Sequence, residues 1–521
     1  MIKIKTPSQT LIKISPPIWP IFITELEIIK KELEQDNHVH IIACKGNKNF
    51  CIANEKMVKI NCKFCQNRLI NGLKILKKHH PSKIKIFFEK YNIQKLIPKN
   101  KIKFNFTYKN FKIGESIKSS LITMFKSEAI SEKFYKKLIL ELINQSLNNI
   151  VFLKKNIFNR FKYNKIYIFN GRNYNYRTLV QYCQNKKKQF FCYDYPYFSH
   201  DGYLIKKNGM TQYLMSRSYD LKKLYKKLNK QINLSKIHQN GKNFFQKRIN
   251  KINTGPIQTF NILQKSGAIP KEFIKEKFKI SFFNVSDFES LSIEENKKYN
   301  VYKDQVMAVE KIVRDLQKYN NLIFSLRLHP NSINEPNKVA RFNNLKNKYN
   351  NLIIVDPLSK IDSYKLAQES DLIITFGSTI GLESVFLKKN VINLSASYYA
   401  AFKIDFQPKT HRECIGTIKK LIKNNIFNKK KYNLSLSIAN ALMHEPIKLK
   451  YIKRIDLSGY KLIIKNNIYK LEKINLITIL YKINYLFSII LKLVNLSYKN
   501  TDLFKFYLLN YIFRLKKILT N

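Results

Sequence analysis

Leu372-Ile-Ile-Thr-Phe-Gly377-Ser378-Thr379-Ile-Gly381-Leu-Glu383, with Arg327-Leu328-His329-Pro330 upstream, decides how this 521-residue chain reads. Each piece is an apolar run that stops at small or polar residues, and in an open α/β sheet ligands bind where strands end at their carboxyl side. Ser378 and Thr379 suit the cap of a helix, Gly377 and Gly381 would let a ligand approach the backbone, and the N–H groups of a first helical turn attract phosphate. By itself His329-Pro330 is an ordinary turn, Ser378-Thr379 a plain N-cap and Glu383 a first-turn carboxylate. Their occurrence together, one crossover apart, favours a phosphate site.

Working outward, the spacing predicts strands over 279–283, 321–328, 352–355, 372–375 and 391–394, with helices over 304–319, 336–349, 363–369 and 379–387 between them. This alternation describes a doubly wound parallel sheet. The earlier half, after an irregular basic opening, reads as a strand over 38–43, helices over 71–80 and 82–96, two helices within 114–149, a strand over 165–169, a helix over 176–183 and a strand over 189–193. Gly255-Pro256 and Gly267 mark the approach to a second domain. The expected plan is α/β: a Rossmann-like domain over 1–265, a second over 266–442 facing it across a cleft, and a helical extension over 443–521.

The formal charge of +60 would ordinarily suggest nucleic acid. Lysine is instead spread along the chain with Asn, Ile, Tyr and Phe, as AT-rich codons produce, and no zinc-finger, helix-turn-helix or RNP-like pattern is present. Nucleic acid is therefore not an expected partner. Pro16, Pro17 and Pro20 followed by Glu25 and Glu27 do not make a signal peptide, and no run reaches the roughly 20 apolar residues of a membrane span, so the expected location is cytoplasmic. Between 473 and 495 the chain turns strongly apolar, with Thr478, Lys482, Asn484, Ser488, Lys492 and Asn495 in one helical arc. This stretch reads either as a helix packed on the body or as one lying on the inner leaflet.

Four cysteines cluster: Cys44, Cys51, Cys62 and Cys65, the last two as Cys-Lys-Phe-Cys. Paired thiolates at that spacing suit a structural zinc; free thiols are the other reading. Cys183, Cys192 and Cys414 sit singly among apolar residues, as core cysteines do.

From about Cys44 to Ile415 the chain resembles GT-B glycosyltransferases, in particular bacterial capsule polysaccharide biosynthesis proteins and the related sialyl- and polysialyltransferases. The residues that carry the likeness are His329-Pro330, Ser378-Thr379 with Glu383 after it, Asn170-Gly171-Arg172 followed by Arg177, and Asn284-Val-Ser286 at a strand end. The resemblance implies a metal-independent, inverting transfer from a CMP- or UDP-linked sugar to a glycan or glycolipid acceptor in surface polysaccharide assembly, at the inner membrane face. It implies a donor site of Asn284, Ser286, Arg327, His329, Pro330, Gly377, Ser378, Thr379 and Glu383, the last on the ribose. Asn170, Gly171 and Arg172 would line the cleft. The catalytic base would be Asp194, where the capsule pattern has glutamate, or Asp201 before Gly202, with His329 serving the leaving phosphate. The cysteine-rich beginning is also similar to that of capsule-type proteins. A teichoic-type phosphotransferase, a UDP-sugar 2-epimerase and a non-catalytic carbohydrate- or membrane-binding member share these strand-end elements and are the alternatives.

Overall fold

The computed structural model describes residues 8–487 other than 17–20, 47, 55–56, 90–102, 127–129, 200–201, 253–263, 275–276, 287–291, 455–459, 465–466, 471–478, 482 and 485. Asp201, Asp287, Glu289 and most of the apolar 473–495 stretch thus lie outside the described residues.

The first half holds a six-stranded sheet: β1 Gln9–Lys13, β2 His38–Cys44, β3 Ile84–Glu89, β4 Lys165–Phe169, β5 Phe191–Asp194 and β6 Leu204–Lys207. Its order is β3-β2-β1-β4-β5-β6, parallel except for β6, which runs against β5. The second half holds five parallel strands, β7 Phe278–Phe283, β8 Leu322–Arg327, β9 Leu352–Val355, β10 Leu372–Thr375 and β11 Asn390–Asn393, in the order β11-β10-β7-β8-β9. Both halves therefore follow the 3-2-1-4-5 strand order of a Rossmann sheet. Helices cover both faces, which is why every residue of β8 and β10 is buried and their sequences do not alternate. Each Leu, Ile or Phe so buried contributes about 1.5–3 kcal/mol. The polar exceptions are paired: Ser281 Oγ lies 2.6 Å from both Ser325 Oγ and Ser370 Oγ, tying β7 to β8 and to the residue before β10.

In the second half the expected elements appear within a residue or two at most ends, several of them identically. The helix Gln305–Leu316 stops three residues short of expectation. The first half departs more. Within the segment read as a helix over 82–96, Ile84–Glu89 is instead the edge strand β3, paired parallel with β2 from Val39↔Ile84 to Cys44↔Glu89, and residues 90–96 lie outside the described residues. The opening is not irregular either. Gln9–Lys13 is the central strand, and Ile21–Glu34 is a helix that buries Glu25, Glu27, Lys30 and Glu32. These charges are matched in three dimensions. Glu32 accepts from Tyr167 Oη and Thr10 Oγ1, and Glu27 from the backbone N–H groups of Lys450, Tyr451 and Ile452.

The halves exchange elements. The helices Leu214–Gln231 and Leu234–Ile249 pack into the core of the second half, with Leu221, Phe244 and Phe245 beside Ile373 and Leu382. After the helix Lys429–His444 the chain returns to the first half. Arg217 closes a bidentate pair with Glu445 at 2.8 and 2.6 Å, Ile447 pairs with Tyr203, and Ile452 joins the first core. The C-terminal extension is not wholly helical: it begins as a three-stranded antiparallel sheet, β12 Ile452–Arg454, β13 Tyr460–Ile464 and β14 Asn467–Lys470.

Candidate active site at the seam of two Rossmann sheets

A Rossmann sheet opens a crevice where its winding reverses, between its first and fourth strands. In the second half these are β7 and β10, followed by Asn284-Val285-Ser286 and by Phe376-Gly377-Ser378-Thr379. In the first half they are β1 and β4, followed by Ile14-Ser15 and by Asn170-Gly171-Arg172. Topology thus puts the sequence motifs at both reversal points.

The turn after β10 is held from three sides. Asn393 Oδ1 accepts from Gly377 N–H at 2.8 Å, Thr375 Oγ1 from Ser378 N–H at 3.2 Å, and the Ser378 carbonyl from Tyr399 Oη at 2.9 Å. Gly377 sits at φ +85°, and a Cβ there would fall 2.2 Å from the Ala396 carbonyl oxygen; one on Gly381 would fall 2.2 Å from Tyr399 Oη. Both glycines therefore admit neighbouring protein atoms, where the sequence suggested a ligand's approach. Ser378 occupies the N-cap position of Thr379–Phe386, yet its hydroxyl makes no capping bond. Gly381 N–H closes on the Ser378 carbonyl at 3.1 Å, and the N–H groups of Thr379 and Ile380 with the Ser378 hydroxyl are suited to serve an anion.

Asn284 links this turn's neighbour strands. Its Oδ1 accepts from His329 N–H at 2.5 Å, and its Nδ2 donates to Ser332 Oγ at 3.2 Å. His329 starts the turn Pro330–Asn334, and its Nδ1 accepts from Asn331 N–H at 3.1 Å. In a neutral ring the proton then belongs on Nε2, making that atom a donor. Ser286 is fully buried beside them.

Two expected donor contacts are engaged otherwise. Arg327 is buried and donates to the Asp356 carbonyl and, at 3.4 Å, to the Ser359 carbonyl, so it braces the loop after β9; burial pulls its guanidinium down to about 10. Glu383 is buried in an ion pair with Arg248 and bonds Tyr364, a tie between the helices 234–249 and 379–386 where a ribose contact was expected. Periodicity could not reveal either partner, because both are remote in sequence.

In the first half Asn170 and Gly171 take left-handed φ values of +57° and +80°, a pair suited to a tight turn. Asn170 Nδ2 donates to Asp194 Oδ2 at 3.1 Å, and Thr211 Oγ1 and Gln212 Nε2 approach the same oxygen at 3.3 and 3.2 Å. Burial pushes the Asp194 carboxyl up to about 6, opposed by the Tyr195 N–H bond, the Arg172 charge and these two side chains. Arg172 reaches across the seam, donating to Ser292 Oγ at 2.6 Å. Asn296 repeats the bridge, bonding Leu214 N–H at 3.1 Å and the Gln212 carbonyl at 3.1 Å. The structure therefore brings Asn170, Gly171, Arg172 and Asp194 into one group facing the second half.

Sequence reasoning missed Thr211, Gln212 and Asn296, which no motif marks, and Glu25. At the other side of the first reversal point Glu25 Oε1 accepts from Ser15 N–H at 2.7 Å, Ser15 Oγ at 2.6 Å and Tyr193 Oη at 2.8 Å. Complete burial pushes it up to about 8. In the sequence Glu25 figures only as a charge that speaks against a signal peptide, because the strand before it, Gln9–Lys13, falls in a stretch that reads as irregular.

Cys44, Cys51, Cys62 and Cys65 are free thiols in one neighbourhood, with burial and the other three sulfurs holding Cys65 up. Among the described residues no group of three or more His, Cys, Asp or Glu is placed to hold a metal ion, so this arrangement lends the expected zinc no support. Cys183, Cys192 and Cys414 are buried in the cores, as read from the sequence.

Two Rossmann sheets joined at their carboxyl ends, with a C-terminal segment returning to the first half, define a GT-B-like architecture. No protein-family model and no curated protein matches the chain. Among solved structures it is similar to the Thermosulfurimonas dismutans KpsC beta Kdo 2,4 transferase at 11% identity and a TM-score of 0.33, over 59% of this chain and 84% of that one. It is also similar to the UDP-GlcNAc 2-epimerase of Neisseria meningitidis bound to UDP-GlcNAc, at 14% identity and a TM-score of 0.29, over 84% and 97%. Strand order, not these likenesses, defines the fold.

Proposed function

We propose that this chain is a glycosyltransferase that moves a sugar from a CMP- or UDP-linked donor to a glycan or glycolipid acceptor during assembly of a capsular or other surface polysaccharide, at the inner face of the membrane. The observation that carries the reading is the junction itself. The Arg172–Ser292 hydrogen bond ties the strand-end loops of the two sheets together; the second sheet's strand ends carry the Gly377–Thr379 turn and His329, and the first sheet's a buried carboxyl raised to about 6.

The chemistry follows. Asp194 takes the proton of the acceptor hydroxyl as its oxygen attacks the anomeric carbon. The bond from that carbon to the nucleotide phosphate breaks, and the phosphate leaves with its charge stabilised by the helix 379–386 N-terminus, the Ser378 hydroxyl and His329 Nε2–H. No metal is assigned a step. Asp194 is suited to the base role because its pKa of about 6 keeps it mostly ionised at neutral pH and still a usable proton acceptor.

A panel of CMP- and UDP-sugars read by melting temperature tests the donor half, since a ligand bound only by the folded state raises it. The sugar nucleotide that stabilises the protein is then incubated with glycan acceptors. Glycosylated product with released nucleotide supports transfer; an isomerised sugar nucleotide with no acceptor used means the epimerase reading, and no stabilisation by any sugar nucleotide refutes both.

A further inference from the structure

Residues 479–481, 483–484 and 486–487 are helical and lie against the start of the helix Lys59–His79. The Tyr481 ring stacks on Phe64 with centroids 3.8 Å apart and planes 5° apart, and Asn484 Nδ2 donates to Asn61 Oδ1 at 3.2 Å. An aromatic stack and an amide pair are thus among the contacts that hold this segment. Ile479, Leu480, Ile483, Leu486 and Phe487 remain between 39 and 60% exposed, and their i, i+3, i+4 and i+7 spacing puts them on one side. A soluble helix is ordinarily arranged the other way, and a contiguous exposed apolar strip of this kind marks a surface that meets something.

We propose that this strip and the basic helix beside it dock on an anionic lipid bilayer. Charge identifies the occupant. Lys59–His79 contains Lys59, Lys63, Arg68, Lys74, Lys77 and Lys78 and no acidic residue, and Lys59 and Lys63 are exposed next to the contact residues Asn61 and Phe64. Apolar side chains flanked by exposed lysines suit an interface of acyl chains beneath acidic headgroups. A second copy of a chain with formal charge +60 would bring like charge against it. Lys59–His79 also follows β2, so its first turns stand at the carboxyl rim of the first sheet, the rim that carries Asn170 and Asp194. Docking would turn that rim toward the membrane. The inference rests on the membrane placement proposed above and is independent of the nucleotide site.

The full chain is sedimented with phosphatidylcholine vesicles and with phosphatidylcholine–phosphatidylglycerol vesicles, at low and high salt. Ile483→Asp with Phe487→Asp is compared, both positions being exposed so that the fold is kept; unchanged melting and unchanged stabilisation by sugar nucleotide verify this separately. The expected result is binding to the anionic vesicles only, weakened by salt, and reduced by about a hundredfold in the double variant. A wild-type chain that ignores anionic vesicles at low salt, or a double variant that binds as well as wild type, overturns it. So does light scattering showing a wild-type dimer, broken by the double variant, without vesicle binding.

Discussion

The two sheets share one strand order and differ in what they place at the point where winding reverses. After β7, β8 and β10 the groups are Asn284, His329 and the Gly377–Ser378 turn, held by neutral side chains against backbone. After β1, β4 and β5 the groups are Glu25, Asn170 and Asp194, where burial raises two carboxyls to about 8 and about 6. The second half also buries carboxylates: Glu383 is paired with Arg248, and Asp405, which burial likewise pushes up to about 6, bonds Gln407 and the Asn393 that holds the Gly377 turn. One topology thus sets backbone N–H groups and neutral side chains at the strand ends of the second sheet and buried carboxyls at those of the first, the arrangement that the proposed transfer uses.

The comparison breaks most sharply at Asp194. Asp194→Asn should lower turnover by about a hundredfold to ten-thousandfold while donor binding stays unchanged. In the wild type, turnover should fall about tenfold per pH unit below about pH 6, as the base becomes protonated. A variant that keeps its rate removes the chemistry from the first half.

Gly377→Ala probes the cradle. The left-handed φ of +85° and the 2.2 Å approach to the Ala396 carbonyl oxygen force the turn to move, so nucleotide binding should be lost and stability should fall by about 2–3 kcal/mol in denaturant titration. Normal binding would mean that the turn is not the cradle.

Glu25 sharpens the contrast with a smaller effect. Its folded pKa of about 8 lies above the ordinary 4.5, so its stabilising contribution is fully present below about pH 4.5 and is lost as pH rises through about 8. Glu25→Gln, which mimics the protonated carboxyl, should therefore change stability by less than about 1 kcal/mol at acid pH and flatten its decline between pH 5 and 9. An unchanged decline would place the titration elsewhere.

Legibility in the sequence divided along the same line. In the second half β8 and β10 are buried on both faces, so their apolar runs are continuous and their ends abrupt, and the strand-end motifs stood out. In the first half the central strand Gln9–Lys13 has only Leu11 and Ile12 between polar residues, and the helix after it buries Glu25, Glu27 and Glu32 against partners remote in sequence. No local pattern announces those pairings. The candidate site showed the same limit: which residues sit at strand ends was legible, but Arg327 and Glu383 were assigned to ligand because their protein partners, the loop after β9 and Arg248, come together only in three dimensions.

On the proposed function, the second half binds a nucleotide phosphate at its reversal point. Calorimetric titration of CMP and UDP into the full chain and into Ser378→Ala and His329→Ala tests it most directly. One nucleotide should bind the wild type, each variant should bind it about ten- to a thousandfold more weakly, and melting without ligand should be unchanged. Binding of neither nucleotide, or undiminished binding in both variants, would contradict it.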